Sequence, residues 1–169
     1  MSRIDYFNEE NKQSTNASIF GLCDDNDKQP AYLDTSNRTN WIGIIENKQE
    51  IEIVFYPIDN SVEIKREDGT DAQRCEGIVS YDNLRNLLFV ELKDRRLVPA
   101  DWLHDASEQI KESMRFFFDN YEKEQFSKIR AWICNKQLTN QNYWQKIKQF
   151  KKDTNGVVLY VQKNLSLPL

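Results

Sequence analysis

Residues 75–93, Cys75-Glu-Gly-Ile-Val-Ser-Tyr81-Asp-Asn-Leu-Arg-Asn-Leu87-Leu-Phe-Val-Glu-Leu-Lys93, hold two short β-rich runs on either side of a polar connection at 82–86. Runs so placed pair antiparallel. Alternation along a strand puts Glu91 and Lys93 on one face and turns Leu92 into a core on the other. Antiparallel pairing over the fifteen residues between Glu76 and Glu91 brings the start of one strand beside the end of the other. Two carboxylates and one ammonium then converge.

Upstream, Trp41-Ile-Gly-Ile-Ile45 and Ile51-Glu-Ile-Val-Phe-Tyr56 read as strands. The turn chemistry of Pro57-Ile-Asp-Asn-Ser61 predicts a hairpin from the second of these into Val62-Glu-Ile-Lys65. Residues 8–40, rich in Asn, Asp, Ser, Thr and Gln, read as loop. Downstream, Asp101 is an N-cap after Pro99, and Leu103, Ala106, Ile110, Met114 and Phe117 form an apolar stripe on a helix over 101–121. Lys128-Ile-Arg-Ala-Trp-Ile-Cys134 is a strand, residues 140–151 a second helix, and Val157-Val-Leu-Tyr-Val161 a last strand. A strand, a crossover helix and a further strand form a right-handed unit in one sheet. The fold expected is α/β: one domain over 1–169, a polar irregular segment at 1–40, and a core at 41–161 with a central mixed sheet flanked by helices.

Composition excludes many functions. At 169 residues the chain can bury about 70% of its unfolded surface without staples. It has no apolar run near the ~20 residues of a membrane helix, and acidic residues stand where a signal peptide carries its apolar core, so a cytoplasmic protein off the membrane is expected. Cys23, Cys75 and Cys134 are too widely spaced for a zinc site or a disulfide framework and read as buried thiols. The one histidine, His104, has no Gly-x-Ser-x-Gly elbow to serve, and no phosphate-cradling glycine loop occurs.

The net charge of −4 conceals a polarised chain: residues 1–122 carry 14 basic against 25 acidic side chains, and residues 123–163 carry 9 against 2. Attraction for phosphate is local within a Debye length of about 8–10 Å, so the basic third can face nucleic acid despite the negative total. Lys146, Lys148, Lys151 and Lys152, interleaved with Tyr143, Trp144 and Phe150, are the candidate contacts, together with Arg95 and Arg96 just after the carboxylate cluster. A solvated lysine-rich helix and a solvated loop explain them equally well.

Acid, then Glu-x-Lys at the end of the next strand, then a helix bearing Gln109, resembles the PD-(D/E)XK nuclease superfamily over about 35 residues. The resemblance implies a restriction-endonuclease-like core and hydrolysis of phosphodiesters, in DNA above all. It implies Mg²⁺ or Mn²⁺ held by Glu76, Glu91 and the Leu92 carbonyl, with Lys93 in catalysis and Gln109 as an accessory polar residue. It leaves a homodimer open. Glu76 stands where the family usually has aspartate, Cys75 where it has proline, and Glu10, Glu46 and Glu50 are the candidates for an upstream acidic helix. Glu-x-Lys occurs four times in the chain, so the tripeptide alone selects nothing. Glu63/Lys65, with Glu52 upstream, is a competing set, and surface ion pairs are a third reading. A nuclease scaffold that binds without turnover is the alternative function, since fold does not establish activity; a structural protein whose acidic half meets a basic partner is a weaker one.

Overall fold

The computed structural model describes residues 3–139 and 141–169; Met1, Ser2 and Asn140, the expected first residue of the second helix, lie outside them. The strands are β1 (Gln13–Thr15), β2 (Ile19–Cys23), β3 (Tyr32–Asp34), β4 (Gly43–Glu46), β5 (Ile53–Pro57), β6 (Gly77–Tyr81), β7 (Asn86–Lys93), β8 (Lys128–Asn135), β9 (Val158–Val161) and β10 (Asn164–Ser166). Two α-helices, α1 (Asp101–Asn120) and α2 (Trp144–Asp153), leave the ends of β7 and β8. A six-stranded sheet runs β1-β5-β6-β7-β8-β9, and a four-stranded sheet runs β10-β4-β2-β3. Both are mixed. In the large sheet β5, β6 and β7 form an antiparallel meander, while β7, β8 and β9 are parallel through the two helices.

The chain stacks in three layers with the large sheet in the middle. Ile78, Leu87, Phe89, Ala131 and Ile133 pack under α1 through Leu103, Ala106, Ile110 and Phe117. Val79, Leu88, Val90, Leu92 and Trp132 pack on the small sheet through Phe20, Leu22, Ile42 and Ile45. A strand covered on both faces is apolar at successive positions, and β7 is buried along its whole length up to Lys93. That is why its sequence stood out.

The expected α/β architecture with a mixed central sheet is present, and five local expectations need correction. Residues 8–40 are not loop: β1, β2 and β3 lie there, and Ile19-Phe-Gly-Leu-Cys23 is a strand antiparallel to β4. The segment reads as polar because its connections are built from Asp side chains that accept from backbone N–H groups two residues on, at Asp24, Asp27 and Asp34. Residues 62–65 form no strand beyond one bridge between Lys65 and Asp71, so β5 pairs with β6 instead. The excursion between them buries Ile58, Ile64 and Ala72 under α1, where the Arg66 guanidinium meets Glu112 at 2.8 and 3.0 Å. Asp101 is the first helical residue, after Ala100, and supplies charge at the helix start rather than a cap. The second helix begins at Trp144, and the expected helical positions Gln141, Asn142 and Tyr143 precede it. Last, Leu165 and Leu167 extend the small-sheet core through β10, which runs parallel to β4.

Where the small sheet meets Trp41, close approach requires glycine. A Cβ at Gly21 would lie 2.0 Å from Trp41 Cγ. The ring is held by its Nε1–H, which donates to Asp34 Oδ2 at 2.7 Å. Gly21→Ala is therefore expected to destabilise the protein by about 1–3 kcal/mol in urea unfolding, the usual cost of overpacking. A change within error of wild type would show that Trp41 has room to move.

Candidate active site

The register of β6 on β7 ends with Gly77 opposite Val90, and one further step sets Glu76 across from Glu91. Ile78 lies opposite Phe89, and both belong to the face under α1. Parity puts Glu76, Glu91 and Lys93 on that same face. Leu92 buries its side chain on the other face, so only its carbonyl is a candidate ligand. The three charged groups the sequence singled out thus meet at one end of the central sheet, beneath the first half of α1.

Glu91 is 0% exposed and Glu76 is 8% exposed. Lys93 Nζ lies 3.1 Å from Glu91 Oε1, but neither Glu91 oxygen receives a well-aligned hydrogen bond from a protein donor. Instead the Lys93 ammonium donates to Gln109 Oε1 at 2.6 Å. Gln109 is fixed in turn, its Nε2–H donating to the Arg74 carbonyl at 3.3 Å. Gln109, named above as an accessory polar residue, thus contacts the lysine rather than the carboxylates.

Burial drives the pKa of Glu76 upward, and the Glu91 charge, then Asp24 and Asp59, push it further. Burial also raises Glu91, against the pull of the nearby Lys93 ammonium. Two coupled carboxylates so placed take up and lose protons as a pair. With no ion bound, the site therefore favours a protonated form at pH values where an exposed glutamate is ionised.

Two neighbours were missed by the sequence reading. Asp59, just past β5, lies close enough to raise both glutamates and pairs with Arg74 Nε at 3.2 Å. Asn135, fully buried at the end of β8 and in register with Lys93, donates to the Arg95 carbonyl at 3.0 Å and accepts from the N–H groups of Arg95 and Gln137. It locks the exit of β7. A buried Asn closing the apolar run Ala131-Trp-Ile-Cys134 was the available signal for it.

Arg95 borders this cluster through Asp105, which also feels the Lys93 charge, and the remaining candidates lie on other elements. Arg95 is held by Asp101 at 3.4 Å and Asp105 at 2.9 Å, whereas Arg96 is exposed. Lys146, Lys148, Lys151 and Lys152 are on α2, which packs against β9 rather than over Glu76 and Glu91. The rival Lys65 is an exposed ion-pair centre with Glu63 at 3.6 Å and Asp71 at 2.7 Å, and Glu52 is exposed elsewhere. Glu10, Glu46 and Glu50 fall on no helix, so the upstream acidic helix is absent among the described residues. His104 is exposed, and all three cysteines are buried free thiols.

Among the described residues, no group of three or more His, Cys, Asp or Glu side chains is arranged to hold a metal ion. Any cation here would rest on two carboxylates and backbone oxygen. Two carboxylates suit an ion that keeps several of its own waters, as Mg²⁺ does. No helix is long and apolar enough to cross a membrane among the described residues. No family model, curated protein or solved structure matches the chain.

The buried pair makes a testable pH signature. A carboxyl whose pKa is higher folded than unfolded binds more protons in the native state, so stability falls as pH rises above the ordinary carboxylate range near about 4.3. In EDTA, Glu76→Gln is expected to melt above wild type at pH 8 and to lose most of that advantage at pH 5. Parallel melting curves for the two proteins across this range would mean that the pair costs nothing to ionise.

Proposed function

We propose that the protein hydrolyses phosphodiester bonds in nucleic acid, DNA first among them, with Mg²⁺ or Mn²⁺ held by Glu76, Glu91 and the Leu92 carbonyl. One observation carries the reading: a fully buried glutamate without a well-aligned hydrogen-bond donor faces a second buried carboxylate beside a lysine. Hard, buried carboxylate oxygens that have one ammonium nearby and few aligned donors are what a divalent cation satisfies. Such an ion, when bound, lowers the pKa of a water and polarises the phosphoryl oxygen. The order of an antiparallel meander β5-β6-β7, a crossover helix α1 and the parallel strand β8 supports a restriction-endonuclease-like core for it.

The chain's own groups have separable tasks. Glu76 and Glu91 supply negative charge at a place where burial makes it strongly felt. Lys93, steadied by Gln109, stands ready to stabilise charge that develops on a phosphate in the transition state. Gln109 is a positioning residue, because it touches the lysine and the Arg74 carbonyl. Asn135 keeps the end of β7, and so Lys93, in place.

Full burial of Glu91 favours a second reading, in which the scaffold binds nucleic acid without turnover. Cleavage of labelled single-stranded, double-stranded and branched DNA in Mg²⁺, Mn²⁺ or EDTA separates the two. Metal-dependent cleavage is expected, with Glu91→Ala and Lys93→Ala each lowering the rate by about 10²-fold or more, the scale of losing one transition-state charge partner. Gln109→Ala should cost less than either. Activity untouched by the first two changes removes the catalytic assignment, and DNA binding without cleavage favours the inactive module.

A further inference from the structure

Trp144, the first residue of α2, is 56% exposed and, with Val98, is one of two large apolar side chains left in solvent among the described residues. From it, Lys148 and Lys152 follow at steps of four on one helix face, each step rising about 6 Å along the axis. Lys151 and Asn155 flank this row, and together these side chains line a groove of about 660 Å³.

The charge of this face is uncompensated. Residues 143–163 contain five lysines and a single acid, Asp153. That acid is already engaged, by Lys111 of α1 at 3.1 Å and by the Gln149 amide at 2.7 Å. Among the described residues, none of Lys146, Lys148, Lys151 and Lys152 forms a salt bridge, whereas Lys65, Arg66, Arg74, Arg95 and Lys111 all do. Phe150 anchors the helix in the core, and Ile147, half-buried at the edge of this face, packs against the same core. The outer face is left for a partner that brings negative charge and something flat for an indole.

We propose that this face of α2 binds unpaired nucleic acid, with a base stacked on Trp144 and the phosphates of the same strand along Lys148, Lys151 and Lys152. A duplex hides the faces of all but its terminal bases, whereas every base of a single strand offers one. The placement fits the proposed hydrolysis, on which the inference builds by naming the substrate class. Both helices start at the strand ends where Lys93 and Asn135 lie, and Tyr143 packs its ring edge-on against Trp102 of α1, 5.9 Å away. Trp144 thus stands at the end of α2 that meets the start of α1.

Binding is read separately from cleavage by anisotropy in EDTA on Glu91→Gln protein. The probes are a labelled single strand and a labelled duplex of about 20 nucleotides, longer than a typical single-strand site, with anionic phospholipid vesicles as a third arm. The single strand should bind at least tenfold tighter than the duplex. Trp144→Ala should weaken it about 5- to 150-fold, the range for losing one base stack, and Trp144→Phe should recover much of that. Lys148→Ala, Lys151→Ala and Lys152→Ala combined should flatten the slope of log affinity against log salt by about 2. Equal or tighter duplex binding, an unchanged affinity in Trp144→Ala, or binding to vesicles but not to either oligonucleotide overturns the proposal. Single-strand binding as described, with no metal-dependent cleavage in the wild type, leaves this inference standing and removes the hydrolytic one.

Discussion

Glu91 sits on a strand buried at every position before Lys93, with its carboxylate closed off from solvent, opposite a second buried carboxylate, and the cation within reach is Lys93. Taking a carboxylate out of water costs several kcal/mol even after relaxation, and an ammonium that shares its hydrogen bonding with Gln109 offsets only part of this. The rest of the site is arranged around that constraint. Gln109 holds the lysine, Arg74 holds Gln109 through its carbonyl and Asp59 through its side chain, and Asn135 fixes the strand end.

An apolar pair at 76 and 91 would suit the same layer better, since the neighbours under α1 are Ile78, Phe89, Ile110 and Ile133. Buried ion pairs of this kind add little stability, and replacing them with well-packed apolar groups is often neutral or favourable. Strongly perturbed carboxylates cluster at functional sites, and structural ion-pair networks perturb carboxylates as well. The uncompensated lysines of α2 show the same imbalance with opposite sign: charge left unsatisfied by the protein itself, at a place where a ligand can supply the counterpart.

Much of the centre was legible in the sequence because the centre obeys simple periodicities. β6 and β7 are covered on both faces and so read as apolar runs, α1 carries a stripe at steps of three and four, and the fifteen-residue separation placed Glu76 against Glu91. The small sheet was largely hidden. Its strands β2 and β3 are short and separated by Asp-rich turns, so composition averaged over them looks like loop, and β10 gains its place only by pairing with a strand more than a hundred residues away. The false hairpin at 62–65 came from reading turn chemistry locally, when Ile64 is drawn under α1 instead. In the site, Gln109 was named through the resemblance, as a polar residue on the helix that follows Glu-x-Lys. Asp59 and Asn135 were not named, because their roles depend on which strand ends lie side by side, a property of topology rather than of any local pattern.

Calorimetric titration of the full chain with Mn²⁺ at pH 7, repeated in buffers of different ionisation enthalpy, tests the central claim most directly. If the buried pair is a cation site held partly protonated by its surroundings, binding is saturable, expels protons into the buffer, and is lost in Glu91→Gln. Heat that is absent, or that is unchanged by that substitution, would contradict the account and leave Glu76 and Glu91 as a costly structural pair.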